Sequence, residues 1–185
     1  MVDDGTREPA VLRALADLCG RLLLREPTAA DLELLQRSDV RAALEDLGVD
    51  VPEGPPGVVL EDLARQYQEC FPAEGPEPPP VASLWRGPHA GGDSAAAARS
   101  AELAAGISLD RGAAPADHLG HLLRLWARAD ESAPLVADLL RADHLAWGID
   151  ALQSHALGDG AGFYPSVARA TIAVLADLTG PGPTG

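Results

Sequence analysis

Val11-Leu12-Arg13-Ala14-Leu15-Ala16-Asp17-Leu18-Cys19-Gly20-Arg21-Leu22 is the stretch from which the fold is read. Val11, Leu15, Leu18 and Leu22 recur at the three- and four-residue spacing of one helix face, and Leu12 and Cys19 widen the stripe. The spacing predicts a helix from about Glu8 to Leu24. Pro27 prevents its continuation, because proline lacks the N–H that the next turn requires.

Working outward, the same logic covers the chain. Thr28 and Asp31 form a capping box that opens a helix from Ala29 to about Gln36. A short helix from Asp39 to Leu47 ends at Gly48, and Pro52 to Gly57 is a turn. Val58 to Phe71 is predicted helical with Val59, Leu63, Tyr67 and Cys70 on one face, and Pro72 stops it. Asp93 or Ser94 caps a helix through Ala105. Asp110 to Ala114 is a linker, after which Pro115 sits well at a first helical position. The helix from Pro115 to Asp130 buries Leu119, Leu122, Leu123 and Trp126. Pro134 to Leu140 and Ala142 to Ala156 follow as two helices, the second bearing Leu145, Ile149 and Leu152. After the turn Asp159-Gly160-Ala161-Gly162, the segment Phe163 to Leu178 places Phe163, Val167, Thr171, Val174 and Leu178 along one side. The expectation is an all-α, single-domain helical bundle over residues 1–180, interrupted by a long Pro/Gly-rich loop at 72–92 and followed by a disordered tail at 181–185.

Composition agrees. The chain has 185 residues, enough for one domain with a real core. It is 46% hydrophobic, mostly Ala and Leu, with only three Trp, two Tyr and two Phe. Ala and Leu favour helix, whereas β-branched and aromatic residues are sparse. The formal net charge of −14 repels nucleic-acid phosphates and anionic lipid and attracts cationic segments; a high-salt habitat would produce the same surplus. Cys19 and Cys70 make no disulfide framework, and both are expected to be small buried hydrophobes. No basic N-terminal segment with an apolar core and no run of membrane-spanning length is present, so a cytoplasmic protein is expected.

Two segments stand out from this helical background. Pro78-Pro79-Pro80-Val81-Ala82-Ser83-Leu84-Trp85 has too many prolines for a hydrogen-bonded ladder, so loop or polyproline-like backbone is expected. Trp85 there is either the plug of a rigid loop or an aromatic wall for an extended peptide, which Tyr67 and Phe71 would complete. Trp126 and Trp147 are core by phase. The second segment is Ala114-Pro115-Ala116-Asp117-His118-Leu119-Gly120. At 100° per residue Asp117, His121, Arg124 and Arg128 share a polar face, and His118 edges the apolar stripe. Asp117 falls in the first turn, where the helix N-terminus favours a carboxylate. Three readings stay open: a first-turn charge beside a structural histidine, a metal site completed by His144 or His155, or a polar anchor in a binding surface.

Catalytic signatures are missing. Gly87 to Gly92 is glycine-rich but lacks a following Lys-Ser/Thr, and there is no Gly-x-Ser-x-Gly, Cys-x-x-Cys or His-Glu-x-x-His. Ser83 and Cys70 have no sequence-local activating partner. The pattern favours a binder over a catalyst.

In order, Tyr67-Gln68 with Phe71, the proline run closing on Ser83-Leu84-Trp85, Gly92-Asp93-Ser94, Pro115-Ala116-Asp117-His118-Leu119-Gly120, His121-Leu122 with Trp126, and Phe163-Tyr164 resemble the cytoplasmic chaperones dedicated to molybdoenzymes. That group includes the assembly chaperones of trimethylamine N-oxide and dimethyl sulfoxide reductases. The resemblance runs from roughly Val58 to Leu178. It implies a non-enzymatic, all-helical protein without a cofactor of its own, which binds the twin-arginine signal peptide of a partner enzyme. Such a protein also holds the apo-molybdoenzyme while molybdopterin is inserted and restrains premature export. By the same resemblance the peptide site comprises Tyr67, Phe71, Pro80, Trp85, Asp117 and His118. Two positions depart from the family pattern: Val81 replaces an aromatic and Ala114 replaces a glutamate, which points to an atypical partner. The alternatives are a small metal-dependent hydrolase using Asp117, His121 and His144, and a helical scaffold whose Pro-rich segment is a linker.

Overall fold

The computed structural model describes residues 7–72, 78–86, 93–156 and 162–180. The expected tail at 181–185, most of the Asp159 turn and the interior of the Pro/Gly-rich loop lie outside the described residues. Within them the chain is an all-α bundle with no strand: α1 Pro9–Leu24, α2 Ala29–Leu35, α3 Ser38–Glu45, α4 Pro56–Cys70, α5 Ala82–Trp85, α6 Ser94–Ala105, α7 Leu119–Ser132, α8 Pro134–Leu139, α9 Trp147–Ala156 and α10 Phe163–Thr179, with a π-helical segment Leu140–Leu145 between α8 and α9.

Local chemistry accounts for most boundaries. Pro9, Pro56 and Pro134 stand in the first turns of α1, α4 and α8, where a missing N–H costs no helical bond. Thr28 and Asp31 form the reciprocal capping box of α2, and the Asp93 carboxylate accepts from the Ala96 N–H at 3.0 Å to start α6. Gly106, at φ 65°, closes α6 in the left-handed conformation.

The stripe of α1 becomes core: Leu15, Leu18, Cys19, Leu22 and Leu23 are all buried, mainly against α7. This crossing is closer than leucine packing allows. A Cβ added at Gly20 would lie 2.5 Å from the Gly120 carbonyl oxygen and 2.7 Å from Arg124 Cγ, so the two helices meet backbone to backbone. α10 packs on α9, α1 and α4, and the residues expected on its inner side are all buried.

Four expectations are corrected. Helix α7 starts at Leu119, not Pro115, because the Leu119 N–H donates to the Pro80 carbonyl and the Asp117 carbonyl accepts from Ala82, so neither takes part in a helical turn begun at Pro115. His118 is therefore the N-cap, and Asp117 precedes the helix. Most of the face expected to be polar packs inward: His121 has no exposure and Arg124 lies beside Asp17 of α1, while Arg128 stays exposed. Helices α8 and α9 are joined by the π-helical segment without a break. Leu140 and Leu145 are five residues apart and both fully buried; an α-helix would set them about 140° apart, whereas the wider π turn brings them to one side. Trp126 is core, but Trp147 and Cys70 are only half-buried; the Trp147 indole N–H donates to the His144 carbonyl at 2.7 Å.

Candidate functional site

The two conspicuous sequence segments are brought together. An isolated antiparallel bridge pairs Val81 with His118. The Leu119 N–H donates to the Pro80 carbonyl at 2.8 Å, and the Ala82 N–H donates to the Asp117 carbonyl at 3.0 Å. Asp117 Oδ2 accepts from the Ser83 N–H at 2.9 Å. Ser83 is the second residue of α5, so the carboxylate caps a helical turn 34 residues earlier in the chain. Asp117 is therefore not a first-turn charge of α7, as expected, but the cap of α5.

That turn replaces the polyproline-like backbone expected as far as Trp85. Prolines occupy 78 to 80, and from Val81 onward every residue has an N–H to donate, so a turn of helix can close. Two further bonds fix it. The Trp85 indole N–H donates to the Pro79 carbonyl at 3.0 Å, and Arg86 Nη1 donates to the Asp143 carbonyl in the π-helical segment at 3.0 Å. Pro80, Val81 and Ala82 are buried, Trp85 is half-buried, and Leu84 is 56% exposed. The result is an apolar pair, Leu84 and Trp85, presented on a turn tied down at both ends. Nothing in the residue pattern singled out Leu84, because its exposure follows from a helical turn that the prolines concealed.

Beneath the turn the polar groups are enclosed. Asp117 is 1% exposed, and its Oδ1 has no hydrogen-bond partner among the described residues. A buried carboxylate oxygen without a donor is costly, which marks Asp117 as the polar stress point of the junction. His118 Nδ1 accepts from the Gly120 N–H at 3.1 Å, an arrangement that needs the neutral ring. Burial, reinforced by the neighbouring His121, lowers the His118 pKa to about 4, so the ring is neutral near pH 7. His121 Nε2 lies 3.2 Å from Glu102 Oε1 and links α7 to α6; burial lowers its pKa against the pull of Glu102.

The expected aromatic wall does not form. Tyr67 and Phe71 belong instead to an interior seam among α4, α9 and α10, where Tyr164 meets Tyr67 at 5.3 Å and Phe71 at 5.8 Å in edge-on contacts. Phe71 also packs on His155 at 5.0 Å and is buried, and the Tyr67 hydroxyl donates to the Leu23 carbonyl at 3.1 Å. Of the six residues expected at a peptide site, Pro80, Trp85, Asp117 and His118 converge, while Tyr67 and Phe71 stabilise the body that carries them. The alternative metal triad is not assembled either: among the described residues no three His, Cys, Asp or Glu side chains come together as a metal site.

A family model described as the nitrate reductase delta subunit matches residues 37–158. The chain belongs to that family. The match runs from the start of α3 to the end of α9, so it contains the whole junction between α5 and α7 and leaves out α1 and α10. It agrees at family level with the resemblance drawn from the motifs. No curated protein matches the chain. No helix among the described residues of this family member is long and apolar enough to cross a membrane.

Proposed function

We propose that this protein is a cytoplasmic assembly chaperone that binds the twin-arginine signal peptide, the apo form, or both, of a molybdopterin oxidoreductase, assisting cofactor insertion and restraining early export. Membership of the nitrate reductase delta subunit family supports a role beside a molybdoenzyme. The observation that carries the reading is the pinned α5 turn, which holds Leu84 and Trp85 at the surface above a buried carboxylate. A signal peptide joins a basic end to an apolar stretch. The rings and methyls of α5 suit the apolar part, and a protein of net charge −14 attracts the arginines. No bond of the client is altered in this role.

The roles divide by geometry. Leu84 and Trp85 make contact. Asp117 positions them by capping α5, and His118 starts α7 at the right residue. Pro80 supplies the carbonyl that joins the two segments. Calorimetric titration with a synthetic twin-arginine leader peptide of a molybdopterin oxidoreductase tests this. Trp85→Ala should weaken binding by about tenfold or more, as expected for an aromatic anchor. Asp117→Ala should weaken it less, with helicity retained, and raised salt should weaken it further. Unchanged affinity in Trp85→Ala would remove α5 from the binding surface.

A further inference from the structure

Helix α6 is held to the bundle more lightly than the helices around it. Its sequence, Ser94-Ala95-Ala96-Ala97-Ala98-Arg99-Ser100-Ala101-Glu102-Leu103-Ala104-Ala105, offers mostly methyl groups. It lies on α5, α7 and α8, yet only Ala98 and Ala101 are fully buried. Leu103, its one larger apolar side chain, points outward and is 83% exposed. Arg99 and Ser100 spend their polar ends on the helix itself, at Asp93 and at the Ala96 carbonyl. Among the described residues Glu102 alone ties α6 to a neighbour through its side chain, with Oε1 3.2 Å from His121 Nε2 on α7. By contrast, α1, α7 and α10 bury whole apolar faces.

The single tie is a poor one. His121 has no exposure, yet neither ring nitrogen makes a hydrogen bond. Nε2 lies near the carboxylate without the alignment of such a bond, and Nδ1 has no partner. Burial, with Arg111 of the linker and Arg124 of α7 nearby, keeps the ring neutral against the pull of Glu102, so no ion pair makes up the difference. His118, the other titratable group in reach, is neutral as well. A buried polar group without a partner costs about as much as burial of one or two methyls contributes. Closing α6 therefore gains little apolar burial while it dries an imidazole and a carboxylate; opening returns both to water. Gly106, at φ 65°, ends the helix and separates it from the linker, so α6 can swing without unwinding α7.

We infer that α6 is a cover over the junction of α5 and α7, which lifts as a unit while α1, α7 and α10 stay packed. Lifting bares the sides of α5 and α7 on which α6 rests, together with the His121 ring. Helix α6 thus sets when the buried half of the junction can meet another molecule. The lifting does not rest on the function proposed for Leu84 and Trp85.

Thiol labelling of the full chain tests it. In a Cys70→Ser background, Ala98→Cys places a thiol beneath α6, where Ala98 has no exposure, and Cys19, 1% exposed in α1, reports opening of the core. With excess dithionitrobenzoate, the thiol at position 98 should react about a hundredfold faster than Cys19, or more. Native-state amide exchange of the intact protein should agree: the amides of Ala101 to Leu103 should open with little dependence on added denaturant, unlike those of α1 and α10. Glu102→Leu combined with His121→Leu replaces the poor polar contact by an apolar one. It should slow labelling at position 98 about tenfold and leave Cys19 unchanged, with circular dichroism confirming the helicity of each variant. Equal labelling of the two thiols, amide exchange of α6 in step with α1 and α10, or no slowing in the folded double variant would each overturn the inference.

Discussion

Where α1 crosses α7, glycines remove the side chains and let two backbones touch; where α5 meets the start of α7, side chain and backbone hydrogen bonds hold a turn that has little core of its own. The first contact is tight and intolerant of added volume. The second is polar, with a carboxylate oxygen left unpartnered and two apolar residues outside. The contrast separates the part of the molecule that makes it fold from the part that is free to meet something else. Elements with little core of their own are where binding surfaces arise, since local opening there costs less than global unfolding.

The sharpest way to break that contrast is Gly120→Ala. The new methyl would press on the Gly20 carbonyl and on Leu23 Cβ, 3.2 Å away, with backbone as the main obstacle. Denaturant unfolding should show a loss of about 3 kcal/mol, the upper end for overpacking. A loss under about 0.5 kcal/mol would mean that the crossing relaxes freely. Asp117→Ala should cost less, about 1–2 kcal/mol, because the Ser83 N–H loses a charged acceptor in a part-buried setting. Its effect should be local: amide exchange at Ala82 and Ser83 should accelerate well before exchange in α7. Uniform acceleration throughout would make the α5 turn part of the main cooperative unit.

Acid sharpens the comparison next. The His118 pKa lies near 4 in the folded chain and near 6.5 when the ring is free. Protons therefore bind the unfolded state more readily, and the contribution of His118 is intact above about pH 6.5 and lost as pH falls toward 4. Thermal melts should fall over that window, by an amount on the order of 2–3 kcal/mol from this group. His118→Asn can keep a side-chain acceptor for the Gly120 N–H but cannot titrate, so its melts should decline less. Identical pH profiles would take His118 out of the acid response. The smallest effect is expected at Leu84→Ala, which removes an exposed side chain and should leave stability within about 0.5 kcal/mol.

Much of the fold was legible in the residues because helices announce themselves locally. The apolar stripes of α1 and α10, the Thr28–Asp31 box and the proline that starts α8 depend only on neighbours within a turn or two, whereas α4 begins at Pro56, inside the stretch expected to be a turn. Legibility failed where a distant segment competed for the same backbone. Residues 115 to 118 carry every local mark of a helix start, yet the Pro80–Ser83 segment takes the Asp117 carbonyl and the Leu119 N–H, and α7 begins later. The π-helical segment escaped for a related reason: a switch of register is set by which leucines must be buried, and burial is a property of the packed bundle.

The candidate site shows the same division. Trp85, Asp117 and His118 stand out by residue type and Pro80 only through the family resemblance, whereas Tyr67 and Phe71 could not be separated from them until Tyr164 and His155 were seen to take up their rings. The chain alone determined the helical class, most helix boundaries, the surplus negative charge and the two segments worth attention, since these follow from composition and short-range spacing. Only the tertiary structure decided that Asp117 caps α5, that Leu84 faces outward and that Gly20 and Gly120 touch. Each of those joins residues far apart in the chain, and a contact between distant residues leaves no periodic mark in either.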